Sequence, residues 1–373
     1  MWKFPKYNID KEIDWSVFDK YDWFRDMKDT EQDPIWHGEG NVQTHTKMVC
    51  ESLLTLPEFK KLNEQDKHIM FTACLMHDIE KRSTTTTQTL DGKVRIVAPS
   101  HAKKGEYTTR KLLYTQFNCP FHIREQICKI VRYHGIPLWG IKDEDVNKRI
   151  IKTSLIVKNE FLYMIAKADV LGRICPDKDN LLESAEFFKL LCQEENVFVK
   201  PKEFYNSVSQ YKFLNEGGYP DIELFDDKKF EVIITSALPG SGKDTFINKY
   251  YKDISSLSLD DLRREEGIDP TDKKKNGQII QKGKEMAKEF MRERKSFIFN
   301  ATNITKDLRG KWINLFMEYG AKVKIIYIEV PYKDLLKQNS NREYKVPDDV
   351  MDKLISKLEI PSFEESHEIE FVV

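Results

Sequence analysis

The chain has 373 residues, of which 40% are hydrophobic and 32% are charged. A single hydrophobic core rarely grows beyond ~250–300 residues, so this length predicts two domains, and the mixed composition excludes a disordered chain. The 60 Lys and Arg residues nearly cancel the 61 Asp and Glu residues. The net charge therefore excludes a globally basic nucleic-acid binder, and any contact with nucleic acid would depend on a local basic patch.

Two further patterns exclude classes of protein. No segment approaches the ~18–20 consecutive apolar residues of a membrane-spanning helix, and the first residues contain no apolar run of signal-peptide length. We therefore expect a cytoplasmic protein without a membrane partner. The six cysteines never occur in a CxxC spacing, which argues against a zinc knuckle or a redox pair and predicts reduced, buried thiols.

The first half of the chain, from about Asn41 to Cys192, has apolar residues at helical spacing and is predicted to be mostly helical. It also contains a series of histidines and aspartates. Imidazole and carboxylate groups together favour a divalent transition metal, and a series of this size suffices for one or two ions. A lone histidine is more often a core residue, so the interpretation depends on the whole series. The candidate ligands are His45, His77, Asp78, His101, His134 and Asp169.

Two of these candidates are neighbours in sequence. Adjacent residues diverge by only ~100° around a helix, so His77 and Asp78 can both reach a metal ion over one helix edge. The carboxylate of Asp78 is therefore a candidate bridge between two ions. His37 is close enough to His45 in sequence to contact a substrate, and the other histidines are interpreted as structural.

A polar segment, Asn196 to Lys229, separates the two halves and contains Gly217, Gly218 and Pro220. We interpret it as a helix end followed by a linker. The predicted domains are 1–225, with the candidate metal centre, and 226–373. In the second domain the strand-like segments FEVIITSA, SFIFNAT and VKIIYIEV alternate with helical segments, a pattern that predicts a parallel sheet.

A glycine-punctuated turn follows the first of these strands and opens a helix. In that context backbone N–H groups and the helix N-terminus face the phosphates of a nucleotide, and a lysine supplies a positive charge. Ala237 replaces the usual first glycine, and Asp244 stands where a magnesium-binding hydroxyl is usual, so that Thr245 is an alternative source of that hydroxyl. A glycine turn without a ligand is the other interpretation. The candidate nucleotide-binding residues are Gly240, Ser241, Gly242, Lys243, Asp244 and Thr245.

The next motif, Ser258-Leu-Asp260-Asp261-Leu-Arg263, follows a short apolar stretch. A carboxylate at a strand end, one crossover from the phosphates, can accept the proton of an attacking hydroxyl. Asp260 is therefore the candidate general base. From the pattern alone, a simple N-cap for the helix that continues through Arg264 is the better interpretation of Asp260.

The order of motifs resembles the kinase domain of phage-type polynucleotide 5′-kinases: the glycine loop, D-D-x-R, T-N, then N-S-x-R followed by V-P-x-D-V. The resemblance covers nearly all of residues 230–360. It implies ATP or another NTP with Mg²⁺, Asp260 as general base, and Lys243 and Arg342 as catalytic cations, with Arg342 closing over the donor phosphates from a helical lid. It also implies acceptor binding by Arg263, Thr302 and Asn303. Gln338 and Ala301 depart from the family, which usually has a lid arginine and an acidic residue there.

The series H…HD…H…H…D resembles the HD phosphohydrolase superfamily, which is all-helical, over roughly residues 38–173. The resemblance implies His45, His77, Asp78 and Asp169 on a first metal ion, and His101 and His134 on a second. It also implies that Lys81, in HDIEK, neutralises the phosphate of the substrate. Metal-activated water would make phosphoester hydrolysis the natural reaction.

Together the two halves resemble the HD-domain polynucleotide kinase family. That resemblance implies an RNA end-healing enzyme, which combines a 5′-OH polynucleotide kinase with a 2′,3′-cyclic phosphodiesterase or 2′(3′)-phosphatase. Its partners would be RNA or DNA ends with a 5′-OH and a 2′,3′-cyclic, 2′- or 3′-phosphate, and functionally an RNA ligase. Two alternatives stay open: a small-metabolite or nucleoside kinase fused to a nucleotide phosphohydrolase, and an inert HD half that only senses nucleotide or RNA.

Overall fold

The computed structural model describes residues 1–6, 9, 12–142, 144–269 and 272–373. The chain divides into two compact units, Met1–Lys202 and Glu203–Val373. The sequence predicted a later boundary, between residues 225 and 226. The difference arises because a helix over residues 207–216 belongs to the second unit, where the ring of Tyr211 packs 4.7 Å from that of His367.

The first unit is helical and carries one small hairpin. Its 3-10 helices are Trp15–Phe18, Met27–Asp29 and Gly140–Lys142. Its α-helices are α1 Asp22–Asp26, α2 Val42–Thr55, α3 Pro57–Lys60, α4 Glu64–Met76, α5 Lys81–Thr84, α6 His101–Thr115, α7 Phe121–Tyr133, α8 Ile136–Trp139, α9 Val146–Ser154, α10 Asn159–Leu171 and α11 Lys178–Glu194. Its strands are β1 Thr86–Leu90 and β2 Lys93–Val97.

Asparagine side chains begin the two helices that lead to the candidate metal ligands. Asn41 accepts a hydrogen bond from the backbone N–H of Thr44 at the start of α2, at 2.8 Å. Asn63 does the same for Asp66 at the start of α4, at 2.9 Å. Each cap satisfies an N–H that the first helical turn leaves unpaired. The helix starts thus follow from local sequence.

The polar threonine run that begins at Thr84 leads into the hairpin. β1 and β2 pair antiparallel, with Thr86 opposite Val97. Asp91 and Gly92 connect them with φ of 51° and 73°. An Asp-Gly pair favours this tight turn because both residues tolerate positive φ, so a polar threonine run becomes a strand.

The second unit has a central sheet with helices on both faces. Its elements are α12 Ser207–Glu216, β3 Glu231–Ala237, α13 Lys243–Tyr250, β4 Ser255–Ser258, α14 Leu259–Glu265, α15 Lys273–Arg292, β5 Phe297–Asn300, α16 Lys306–Glu318, β6 Lys322–Ile328, α17 Tyr332–Ser340, α18 Asp348–Ser356 and β7 Glu368–Val372.

The sheet has five parallel strands in the order β4-β5-β3-β6-β7. Along β3, Val232 and Ile234 belong to a buried cluster on one face, whereas Ile233 and Ala237 belong to a cluster on the other. A strand whose successive side chains are buried on alternate faces requires a layer on each side, as crossover helices provide. The predicted fold class, a helical HD-type domain followed by an α/β P-loop domain, is confirmed.

Two smaller expectations concern cysteines and membranes. All six cysteines, each within the described residues, are free thiols; five are buried and Cys175 is partly exposed. Burial raises the pKa of the Cys192 thiol to about 12. Among the described residues, no helix combines the length and apolar character needed to cross a membrane.

Candidate metal centre and nucleotide site

The first unit brings all six candidate ligands to one region. Four different helices or helix ends supply the histidines, and α10 supplies Asp169 from its last turn. The ligand atoms form two groups, and within each group they lie within 4.8 Å of one another. One group is His45, His77 and Asp169, and the other is Asp78, His101 and His134. The helical fold therefore gathers residues spread over more than a hundred positions.

Asp78 lies between the two groups. Its Oδ2 is 3.2 Å from Nε2 of His77 and 3.7 Å from Nε2 of His45. Its Oδ1 is 3.3 Å from Nε2 of His101. One carboxylate oxygen thus faces each group, the arrangement that a bridging ligand requires.

The backbone orients three of the imidazoles. Nδ1 of His77, His101 and His134 lies 2.7, 2.7 and 2.8 Å from the carbonyl oxygens three residues earlier, those of Cys74, Ala98 and Val131. A carbonyl oxygen only accepts, so Nδ1 carries the proton and donates it. The Nε2 lone pair of each ring is then available to a metal ion.

The buried donor atoms fit a cation. Among the described residues, Nε2 of His45, His77 and His101 and Oδ1 of Asp78 have no hydrogen-bond partner although they are buried. Unsatisfied buried polar atoms are costly and uncommon, and here they converge on one region. Imidazole nitrogen with carboxylate oxygen is also the ligand set that divalent transition metals prefer. The residues present therefore fit the metal that the sequence implied.

The protonation states of the group Asp78, His101 and His134 agree with that chemistry. Burial lowers the pKa of His134 to about 3 and also lowers the pKa of His101, so both rings are neutral near pH 7. Burial raises the pKa of Asp78, but its interactions with the neighbouring His77 and Lys81 outweigh that effect, and the net pKa is well below the usual range. Neutral imidazole and ionised carboxylate are the forms that bind metal.

Sequence reasoning missed Glu39. Its Oε1 is 2.8 Å from Nδ1 of His45 and 2.8 Å from Nδ1 of His37. The pKa of His45 is raised because Asp169 and Glu39 together outweigh the effect of its burial. The sequence signal was the spacing of His37 and Glu39 just before the N-cap Asn41, and the loop places them against α2.

A cavity of about 400 Å³ opens onto this centre, and two cations line it. Nζ of Lys81 is 2.7 Å from Oδ2 of Asp78 and 2.8 Å from Oε1 of Gln32. Arg173, which sequence reasoning also missed, contacts both oxygens of Asp169, at 2.8 and 2.9 Å. It lies one helical turn after Asp169. Two positive side chains beside the ligand groups suit a phosphate ester.

In the second unit the glycine loop connects β3 to α13. Gly240 and Gly242 have φ of 88° and 83°, and Gly242 is the N-cap of α13. Only glycine adopts such φ values without cost, and a Cβ on Gly240 would lie 3.3 Å from the backbone nitrogen of Asn339. The loop borders a cavity of about 600 Å³. The lining includes Gly240, Gly242, Lys243, Asp244, Thr245, Asp260, Arg263, Arg264, Thr302, Gln338, Arg342 and Tyr344.

Asn300, at the end of β5, organises the loop and was missed by sequence reasoning. Its side-chain oxygen accepts from Nζ of Lys243, and its amide donates to Oδ1 of Asp244 at 2.9 Å. Burial raises the pKa of Asp244, but the charge of Lys243 outweighs it and the net pKa is lowered. Asp244 is therefore an ionised carboxylate at the position where a hydroxyl is usual. Thr245 also lines the cavity.

Ser258 is the N-cap of α14 and accepts from the N–H of Asp261 at 3.1 Å. Asp260 is thus free of the capping role that its position allowed. Its carboxylate lines the cavity and accepts from Arg263, whose Nε donates to Oδ1 of Asn276 at 2.6 Å. The candidate base and the candidate acceptor cation are therefore in contact.

The remaining kinase candidates separate into two kinds. Thr302 and Arg342 line the cavity. Asn303 is buried, and its amide donates to the carbonyl oxygen of Thr235 at 3.0 Å, so its side chain supports β3 and does not reach an acceptor there. Asn339 exchanges two hydrogen bonds with the backbone of Val346, at 2.9 and 3.1 Å, and fixes the loop that carries Arg342.

The helical unit thus holds two His/Asp groups that fit a metal ion, and the parallel-sheet unit holds a glycine loop of the P-loop kind. A family model described as an HD domain matches residues 41–157, and one described as an AAA domain matches residues 232–361. The chain therefore carries a segment that matches an HD domain, followed by a segment that matches an AAA domain and contains the glycine loop.

Known proteins resemble the chain over parts of its length. The L-seryl-tRNA(Sec) kinase of Methanococcus maripaludis is 28% identical over 137 residues, which are 35% of this chain and 53% of that protein. The chain thus spans about half the length of this curated relative.

Three solved structures also resemble part of the chain. The Pnkp1/Rnl/Hen1 complex is 18% identical over 34% of this chain and 44% of its own, with a TM-score of 0.30. A proposed kinase from Chloroflexus aurantiacus is 15% identical over 39% and 86%, with a TM-score of 0.33. A sugar kinase from Janibacter is 17% identical over 38% and 85%, with a TM-score of 0.30.

Proposed function

We propose that this protein heals broken RNA ends: the P-loop domain phosphorylates a polynucleotide 5′-OH, and the HD domain hydrolyses a 2′,3′-cyclic, 2′- or 3′-phosphate. The observation that carries the proposal is the presence in one chain of two distinct sites whose residues suit a phosphate group. One has buried His/Asp groups beside Lys81 and Arg173, and the other has a glycine loop with Lys243. Breakage of RNA by transesterification leaves two ends, and these two chemistries act on one end each.

In the kinase domain, Asp260 would accept the proton of the attacking hydroxyl. Arg263 holds that carboxylate in place and offers its guanidinium to the phosphate of the acceptor nucleotide. Lys243 and Arg342 line the same cavity and would hold the negative charge on the transferring phosphoryl group. Mg²⁺ bound with the nucleotide would neutralise the β- and γ-phosphates. Deprotonation, alignment and charge stabilisation are then supplied around one cavity.

In the HD domain, Lys81 and Arg173 would fix the phosphate of the substrate over the two ligand groups. A divalent transition metal held by those groups would lower the pKa of water enough to supply hydroxide near neutral pH. Asp78 presents one oxygen to each group and keeps their spacing. Glu39 holds the His45 ring from behind, so that its Nε2 faces inward. The paired cations and the shared carboxylate suit a phosphoester.

A polynucleotide acceptor is supported by side chains at the rim of the kinase cavity. The guanidinium of Arg264 lies 5.5 Å from the ring centre of Tyr344, which is largely exposed. An exposed ring beside an arginine can stack on a nucleobase, while Arg263, which lines the same cavity, would attract a backbone phosphate.

The test is to incubate the protein with an RNA that has a 5′-OH and a 2′,3′-cyclic phosphate, with ATP, Mg²⁺ and Mn²⁺, and to map both termini. We expect a new 5′-phosphate and loss of the cyclic phosphate. Lys243→Ala should abolish only the first change and Asp78→Ala only the second. The controls are Lys249→Ala and Asp179→Ala, at exposed residues of α13 and α11. Modification of neither end by the wild type would refute the proposal.

The alternative is a small-metabolite or nucleoside kinase fused to a nucleotide phosphohydrolase. The acceptor is the point to test, because the name of the Methanococcus maripaludis relative specifies a seryl group carried on tRNA and not an RNA end. Labelled ATP offered with a 5′-OH oligonucleotide, a free nucleoside and seryl-tRNA in parallel separates these acceptors. Label on the nucleoside or on seryl-tRNA alone would exclude the end-healing kinase.

A further inference from the structure

Two tryptophans lie at the mouth of the cavity over the His/Asp groups. Trp36 and Trp139 both line it, and they are 40% and 52% exposed. Large aromatic side chains in contact with water leave apolar surface uncovered, and such surface beside a site often marks a ligand contact. Most of the other lining residues of this cavity are charged or polar. The two indole rings are therefore the main apolar surfaces that it offers.

Trp36 lies in a hydrogen-bonded turn next to the His/Asp groups. It directly precedes His37, and the N–H groups of both residues donate to the carbonyl oxygen of Asp33, at 3.2 and 2.8 Å. The Asp33 carboxylate accepts from the N–H of Ile35 at 3.0 Å and from Arg95 at 3.3 Å. The guanidinium carbon of Arg95 lies 6.0 Å from the Trp36 ring centre. The ring is thus held in place without being buried.

Trp139 is held by the turn that follows His134. It ends α8, which begins directly after Gly135, the residue that follows His134. Its N–H donates to the carbonyl oxygen of Gly135 at 3.0 Å, and a Cβ on Gly135 would lie 3.4 Å from Cδ1 of its ring. The ring therefore folds back towards the end of α7, close to the second ligand group.

We propose that Trp36 and Trp139 form a nucleobase-stacking site, so that the HD centre acts on a phosphate attached to a base-bearing nucleoside. The inference rests on the proposed phosphohydrolase function and specifies its substrate class. Lys81 and Arg173 bind the phosphate, and the indole faces bind the base of the same terminal nucleotide. Stacking accepts any base because each base has an aromatic face, as an enzyme that acts on RNA ends requires.

The test uses two oligonucleotides that both end in a 2′,3′-cyclic phosphate and differ only at the terminal residue, which is adenosine in one and an abasic ribose in the other. The metal-loaded full-length protein should hydrolyse the adenosine end at least tenfold more efficiently, mainly through a lower KM. Trp36→Ala and Trp139→Ala should each lose about tenfold on the adenosine end and less than twofold on the abasic end. Trp36→Phe and Trp139→Phe keep an aromatic face and should retain most of the preference.

Phe187→Ala is the matched control, because Phe187 is an exposed aromatic residue on α11 that is not part of the cavity lining. Equilibrium binding of both oligonucleotides to the wild type gives a readout that does not depend on turnover. Equal binding of the two ends, or equal losses on both substrates in the alanine variants, would overturn the stacking site. Hydrolysis of neither end would instead remove the proposed phosphohydrolase, while the binding preference would still decide the stacking site.

Discussion

Replacing Gly172 with alanine should push apart the two helices that carry His45 and Asp169. Gly172 ends α10, and a Cβ at this position would lie 2.5 Å from the backbone nitrogen and 2.7 Å from the Cα of Val49, one helical turn after His45 on α2. Ordinary contacts of a Cβ begin at 3.4 Å. The helices would therefore have to separate locally by up to about 0.9 Å, because the obstacle is backbone and cannot rotate away.

The separation of the two helices should lower both the stability of the fold and the affinity for metal. Overpacking of a core typically costs ~1–3 kcal/mol, and an obstacle made of backbone places Gly172→Ala towards the upper end of that range. Metal ligands tolerate displacements of only ~0.2 Å from their preferred distances, so several tenths of an ångström between His45 and Asp169 should weaken the first ligand group at least tenfold.

The assay combines urea unfolding with a titration of Mn²⁺ or Zn²⁺ into the metal-free protein. Gly310→Ala is the control for the exchange itself, because Gly310 lies inside α16 and a Cβ there would meet no atom within 4 Å. The free energy of unfolding of that control should rise by up to ~1 kcal/mol, since glycine disfavours a helix interior. Wild-type metal affinity together with unchanged stability in Gly172→Ala would refute the reasoning.

Three further predictions concern the second unit. Asp244→Ala should raise the Mg²⁺ concentration needed for half-maximal nucleotide binding at least tenfold, whereas Thr245→Ala should raise it less than threefold. Binding of a fluorescent nucleotide measures both values. The reverse order of the two effects would assign the metal to Thr245. Arg309→Leu should cost about 3–5 kcal/mol in urea unfolding, because it leaves Glu365, now bound at 2.7 and 3.0 Å, as an unpaired buried carboxylate; a loss below ~1 kcal/mol would contradict this. Burial lowers the pKa of His367 to about 4, so folding favours the neutral ring. The stability that this ring contributes is complete above pH 6.5 and is lost as the pH falls towards 4. Stability should drop by about 2 kcal/mol over that window, less than the full shift because water reaches part of the site, and His367→Asn, which keeps an acceptor but does not titrate, should drop less. Equal pH slopes for the two proteins would exclude this origin.

The sequence was sufficient for the two-domain architecture because each half carries its own periodicity. The alternation of strands and helices after Phe230 predicted a parallel sheet, and the glycine turn marked its nucleotide edge. The strand Glu368–Val372 was not predicted, since five residues with alternating acids resemble an exposed tail. In the structure it forms an edge of the sheet, where Glu368 and Glu370 pair with Lys322 and Lys324 at 2.8 and 2.7 Å.

The site was predictable where chemistry is local and not where it depends on packing. His77 and Asp78 are adjacent, so their joint role follows from the chain itself. Glu39, Arg173 and Asn300 act through neighbours that only the fold supplies, as when Asn300 at the end of β5 accepts from Lys243 at the start of α13. In a sequence, an isolated asparagine or glutamate is consistent with many ordinary structural or solvent-exposed roles. Only the tertiary contacts decide among them.

The distribution of thiols has a practical consequence for chemical labelling. Alkylating reagents attack the thiolate, so buried cysteines with raised pKa values react slowly. Cys175 is the partly exposed thiol among the six, and burial with the nearby Asp177 raises its pKa to about 11. A maleimide dye applied at mildly alkaline pH should therefore attach first at Cys175, two residues from Arg173. The native sequence thus offers a single reporter position beside the HD cavity, without any engineered cysteine.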